Sequence, residues 1–279
     1  MYLTSPIERG LYLPGLVAGL AIALLCAMLS IVVVLKRLAF IGQGISHAAF
    51  GGVGIAAILG LTATLSTAAP AGGLWQFLVV TGFCLSAAVG VGWMSAKGKT
   101  EADTAIGIVL VGSMALGAVL LHRARTGIAW ESFLFGSIFE SEWRQAGAAW
   151  AIAAVSLLAA WWWRRPLVFW AFDESSARAF GVRVGAMRLL MMALLAVATV
   201  TAMKLVGVVL ATALLVLPGA SALQISDRIG RVIGLLGGVV LSFEANLPPG
   251  PSVVIVLCIV FAAAKTVGAV KARRTAPAA

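Results

Sequence analysis

The stretch Phe40-Ile-Gly-Gln-Gly-Ile-Ser-His-Ala-Ala-Phe-Gly-Gly-Val-Gly54 holds a single ionisable side chain, His47, among residues that are otherwise apolar or small. Its reading decides the fold. The apolar run continues to Leu61, which makes it about as long as the 20 residues a helix needs to cross a bilayer core. A titratable group at that depth is costly and faces a bundle interior or a substrate path. Imidazole is also a common ligand of transition metals.

Composition extends this reading to the whole chain. Of its 279 residues, 62% are hydrophobic and 11% charged, and the mean hydropathy is +1.07. A soluble domain is about 45–50% apolar and about 25% charged, so the fold class is an all-α polytopic membrane protein. The 20 Lys and Arg against 10 Asp and Glu give a net charge of +10. Without interleaved aromatic and basic residues this excess does not mark a nucleic-acid surface; it marks cytoplasmic loops. Cys26, Cys84 and Cys258 lie in apolar runs with no CxxC pair, and read as small buried hydrophobes. The N-terminus carries Glu8 and Arg9 and then a full-length span, which argues against a cleavable signal peptide.

Nine spans are expected: Leu11–Leu35, Leu38–Leu61, Leu74–Met94, Ala105–Leu121, Ala146–Trp163, Met187–Ala202, Leu205–Leu223, Val232–Phe243 and Ser252–Val267. They form one transmembrane domain over residues 1–279. Trp130–Phe139 is too short to cross and reads as an interfacial or re-entrant turn. With the N-terminus outside and the C-terminus inside, 15 basic residues fall on the cytoplasmic side and 5 outside, the bias expected of cytoplasmic loops. Lys204 then anchors a tight outer turn between the sixth and seventh spans.

The longest cytoplasmic loop, residues 164–188, contains Phe172-Asp-Glu-Ser-Ser-Ala-Arg-Ala-Phe-Gly-Val-Arg-Val184. Asp173 is placed to cap a short helix that ends near Gly181. Phe172, Ala177 and Phe180 fall at helical spacing, with Glu174, Arg178 and Arg183 elsewhere around it. Such a helix either lies at the interface as a linker or docks a cytoplasmic partner.

Ten residues separate Arg37 from His47, about 15 Å of helix, which sets His47 near the middle of a core about 30 Å thick. Gln43 lies one turn earlier on the same face. The pair reads either as an interhelical hydrogen bond or as a low-affinity cation station, since a transport site must release what it binds. Glu244 and Glu131, with Glu140 and Glu142, form a candidate outer cation funnel or are solvated loop charges. Glu101 and Asp103 suit a helix N-terminus. His122, beside Arg123 and Arg125, sits at a membrane edge.

Arg37-Leu-Ala-Phe-Ile-Gly-Gln-Gly-Ile-Ser-His-Ala48 resembles the signature of permease subunits of metal-uptake ABC transporters, the manganese, zinc and iron family. Glu101–Ile108, Leu134-Phe-Gly136, Phe172–Gly181, Val206–Ala222 and Leu247-Pro-Pro-Gly-Pro251 resemble further blocks of that family, in the same order and over nearly the whole chain. The resemblance implies a multi-pass subunit of a prokaryotic cytoplasmic (inner) membrane, similar in architecture to the vitamin-B12 importer class. It implies a homodimer among membrane lipids with the pore between protomers, two cytoplasmic ATP-binding subunits, and an extracellular or periplasmic metal-binding protein. The divalent metal would be a transported substrate, with no permanently bound cofactor. His47 and Gln43 would meet the metal, and Phe172, Asp173, Ala177, Phe180 and Gly181 would couple to the ATPase. One departure is that typical members of this family carry Asp where this chain has Gln43. An amide attracts a dication less than a carboxylate does, which disfavours hard manganese and favours zinc, with iron third.

No Gly-x-x-x-x-Gly-Lys-Ser/Thr motif occurs, so the chain is expected to hydrolyse no ATP itself. An intramembrane protease would need a motif such as HExxH, which is absent. An ion-coupled secondary metal transporter is the alternative, but that class uses intramembrane carboxylates, and no Asp or Glu falls at a span centre.

Overall fold

In lipid, backbone N–H and C=O groups find no water, so apolar runs cross as helices that satisfy them internally. The computed structural model describes residues 6–61, 70–96, 101–124, 142–225, 253–259, 261–262 and 265–266. Eight helices follow in order: α1 Pro6–Leu35, α2 Ala39–Ile58, α3 Pro70–Ala96, α4 Ala102–Ala124, α5 Trp143–Trp162, α6 Arg164–Phe172, α7 Glu174–Ala179 and α8 Val184–Ile225. Among the described residues six of them are long and apolar enough to span a bilayer. Residues 253–259, within the expected ninth span, are also helical. The expected eighth span, Val232–Phe243, lies outside the described residues.

The expected sixth and seventh spans fall in α8, which is broken at Gly207 (φ 82°, ψ 167°), a conformation suited to glycine. An unbroken helix would hold Arg188 and Gly219 about 46 Å apart. Both, however, lie near the turn joining α1 to α2. Arg188 reaches Lys36 in that turn through a shared carboxylate, Glu174. Gly219 lies against the Ser30 carbonyl, six residues before Lys36 on α1. The chain therefore bends back at Gly207, three residues past Lys204, and its second arm returns along α1 and α2.

That α1–α2 turn is a tight one. Leu38 N–H donates to Val33 C=O (2.7 Å) and Arg37 N–H to Val34 C=O (3.1 Å), a Schellman ending in which Arg37 takes the left-handed position (φ 55°) usual for glycine. Asp103 stands in the first turn of α4, where a carboxylate complements the helix dipole.

Packing centres on two helices. α1 lies along α8 and α5, with Ile22, Leu25, Leu29 and Val33 fully buried beside Met191, Leu195 and Leu215. The Trp150 indole N–H on α5 donates to the Val17 carbonyl at 3.0 Å. α2 lies against α4, α3 and α8. Because lipid tails are as apolar as leucine, membrane helices associate through close packing of small residues. A Cβ on Gly54 would lie 2.9 Å from the Gly117 Cα, and one on Gly52 would lie 2.9 Å from the Val80 Cα. Glycine at these positions is what permits the crossings.

Gly117→Ala should therefore destabilise the protein by about 1–3 kcal/mol, because its Cβ would meet the Phe50 carbonyl oxygen at 2.6 Å. Gly112→Ala on the same helix meets nothing within 4 Å and should be neutral or stabilising by up to about 1 kcal/mol. Thermal melting of both variants in detergent measures the difference.

Candidate functional site

Packing leaves one side of α2 open over the first half of the helix only. Ile45, Ala48, Ala49 and Gly52 are buried against the neighbouring helices. Gly44 approaches Ile106 of α4 on one flank, and Gly42 approaches Leu215 of α8 on the other. Phe40 and Gln43 are exposed and His47 is half-buried. These three lie within about 60° of one another around the helix axis at 100° per residue. They make a strip between α4 and α8 that no element of this chain covers among the described residues.

Neither Gln43 nor His47 makes a side-chain hydrogen bond or ion pair among the described residues. Ser46, which neighbours them, is satisfied locally by donating to the Gly42 carbonyl at 2.9 Å. The expectation of an interhelical hydrogen-bond pair is therefore not met within one chain. What remains is an amide and an imidazole with free donor and acceptor atoms. No three His, Cys, Asp or Glu side chains gather to hold an ion among the described residues. Cys26 and Cys84 are buried and Cys258 is exposed. The Cys84 thiol donates to the Ile45 carbonyl at 3.6 Å, on the side of α2 away from the strip. Glu131, Glu140 and Glu244 lie outside the described residues. Glu142 precedes α5, where its N–H donates to Gln145 Oε1 at 3.4 Å. His122 is exposed in the last turn of α4.

On the far side of the α1–α2 turn stands α7. Asp173 caps it: Oδ1 accepts from the Ser175 N–H at 2.9 Å and the Ser176 N–H at 3.2 Å. The serine hydroxyls donate to the same carboxylate, and these bonds hold it well below the usual carboxylate range. Gly181 (φ 82°) closes the helix, with Val182 N–H donating to Ala177 C=O at 2.9 Å. Cap and stop are where the sequence placed them. The shared face of Phe172, Ala177 and Phe180 needs correction. Ala177 is fully buried against the bundle, while Phe172 and Phe180 are 73% and 80% exposed. Phe172 precedes an extended Asp173 (φ −144°, ψ 107°), so helical spacing does not apply across the cap. The two rings point outward, and Phe180 stacks at a tilt on Phe169, 5.8 Å away.

One cluster escaped the sequence reading. Glu174 meets Lys36 at 3.4 Å and Arg188 at 2.7 Å, with Arg178 at 3.8 Å. Partial burial would raise its carboxyl, but Arg188 and then Lys36 outweigh that and hold it below the usual value. Its ion pairs are therefore in force above the usual carboxylate range and fade as pH falls through the lowered value. Lys36 and Glu174 are 138 positions apart, and no local pattern joins them.

A family model described as the ABC 3 transport family matches residues 10–268. A manganese transport system membrane protein, MntC of Halalkalibacterium halodurans, is 30% identical over 260 residues, covering 90% of this chain and 85% of that one. A protein described as a probable iron transport system membrane protein, from Haemophilus influenzae, is 26% identical over 98% of this chain and 99% of its own length. Among solved structures, PsaBC from Streptococcus pneumoniae in complex with Fab superposes with a TM-score of 0.76 at 26% identity, covering 90% of both chains.

The open strip can be tested with thiols. In a Cys258→Ser background, Gln43→Cys and His47→Cys should react with a small water-soluble thiol reagent at least about tenfold faster than Ile45→Cys. Equal rates at the three positions would mean that the strip is not open to water.

Proposed function

We propose, on the premise that this chain belongs to the ABC 3 transport family, that it is the membrane-spanning subunit of an ATP-driven importer of a divalent transition metal. It is a multi-pass protein of a prokaryotic cell membrane, and its family is one of permeases. ATP hydrolysis is then the work of a separate subunit. The observation that carries the reading is the Gln43–His47 pair, deep in an apolar helix and unpartnered among the described residues. A polar group in lipid is retained where it lines a path or meets a partner.

In this reading two copies of the chain face each other across the strips on α2. Two imidazoles and two amides then offer a passing dication up to four neutral donors. Such a set binds loosely and releases, as transport requires. Relatives named for manganese and iron support a transition metal as cargo. The absence of a carboxylate favours zinc, which accepts nitrogen ligands, over manganese, which prefers charged oxygen. The chain crosses nine times, N-terminus out and C-terminus in, in an arrangement like that of the vitamin-B12 importers. An extracellular or periplasmic protein delivers the metal, and Glu131 and Glu244 draw it in at the outer mouth. On the cytoplasmic side the outward Phe172 and Phe180 seat an ATP-binding subunit, held at a fixed angle by the Asp173 cap and the Gly181 stop. Family membership disfavours the ion-coupled alternative.

Reconstituted with its ATP-binding subunits, the chain should take up zinc only when ATP is supplied, and excess manganese should compete poorly. His47→Ala should cut uptake by about tenfold or more while the complex still assembles. Full-rate uptake by that variant would reduce His47 to a packing residue. Phe180→Asp should release the ATP-binding subunit in a pull-down, and retained assembly with normal turnover would remove α7 from the docking surface.

A further inference from the structure

Three elements, one of them 138 positions away in sequence, meet at the Glu174 carboxylate. Its Oε2 lies 3.4 Å from Lys36 Nζ, in the α1–α2 turn. Its Oε1 lies 2.7 Å from Arg188 Nη2, in the first turns of α8. Glu174 itself opens α7, the helix that carries the outward phenylalanines. Lys36 is held from a second side: its ammonium lies 4.6 Å from the centre of the Trp170 ring on α6, and its side chain is only 15% exposed. An isolated surface ion pair contributes little. A partly buried carboxylate shared by cations on different elements has a different consequence, because it cannot follow one element without pulling on the others.

What lies beyond each cation gives the cluster its direction. Lys36 precedes Arg37, the residue held in the left-handed conformation, and α2 begins two residues later. Gln43 stands seven residues past Lys36 and His47 eleven. Arg188 leads into the first arm of α8. Its second arm returns to set Leu215 beside Gly42, flanking the same strip of α2. One carboxylate is thereby tied to two of the chain segments that position Gln43 and His47.

We propose that Glu174 is a positioning residue that transmits movement of α7 into α2 through Lys36, and so sets the register of the Gln43–His47 strip. Displacement of α7 drags Lys36, and Lys36 turns the strained Arg37 corner from which α2 starts. Strain held at such a corner favours two discrete arrangements over a continuous range. Arg188 shares the carboxylate and moves the α8 flank in concert. The inference rests on α7 being the face that docks the ATP-binding subunit.

The test uses the whole complex in proteoliposomes and two readouts. One is zinc imported per ATP hydrolysed. The other is the ATP-dependent change in thiol labelling of Gln43→Cys, in the Cys258→Ser background, which needs no metal. Glu174→Gln should lower zinc per ATP by about fivefold or more and abolish the labelling change, although the complex still co-purifies. Lys36→Met, which leaves α7 untouched, should do the same, and the double variant should be no worse than either single one. Lys36→Arg should largely restore both readouts. Unchanged zinc per ATP together with an unchanged labelling response in Glu174→Gln and Lys36→Met would overturn the proposal. If Glu174→Gln fails to assemble, Lys36→Met alone decides by the same criteria. A parent complex that imports no zinc but shows an ATP-dependent labelling change that Lys36→Met removes would sink the metal reading and uphold the linkage.

Discussion

Backbone-to-backbone contact on two sides of α2 governs the rest of the molecule. Gly52 and Gly54 bring that helix against Val80 of α3 and Gly117 of α4, closer than any side chain would allow. In lipid this contact supplies the attraction that burial of apolar surface supplies in water. Its consequence is directional. With α3, α4 and α8 packed around it, the first half of α2 keeps one strip, carrying Phe40, Gln43 and His47, that has no neighbour among the described residues; beyond His47 that face closes on α4 at Gly54. The packing that holds the bundle together thus leaves the Gln43 amide and the His47 imidazole without a partner among the described residues.

The end of the bundle at α7 works by a different principle. There the backbone is ordered by caps rather than by crossings: Asp173 satisfies the first N–H groups of α7, and Gly181 turns the chain away after six residues of helix. So short a helix has little intrinsic stability. Its orientation comes from Ala177, which is buried in the bundle, and from Glu174, which meets Lys36, Arg178 and Arg188. With those two anchors inward, Phe172 and Phe180 face outward. The face left outward is thus set by what the other side of the element grips.

Some of this was legible from residues alone, and for identifiable reasons. Long apolar runs must become helices in lipid, so the described spans fall where hydropathy put them. Asp173 and Gly181 act through bonds to residues within a few positions, so cap and stop could be read locally. The place of the turn near Lys204 followed from the lone charge between two apolar runs. Gln43 and His47 shared a face because helical geometry fixes positions four apart.

The tertiary structure decided what depends on contact between distant segments. Spacing alone put Phe172 on the face of Ala177, but the extended backbone at Asp173 broke that phase and turned the ring outward. Lys36 looked like one more cytoplasmic charge until folding brought it to Glu174. Whether Gln43 and His47 satisfied each other, a third helix or nothing could not be known before the packing of α2 was seen. Sequence by itself determined the helices, their caps and the residue types on each face, because those follow from interactions within a few positions along one chain. Which faces became covered, and which polar atoms were left over, was settled only by helix packing, where a few ångströms of approach at a glycine outweigh any local preference.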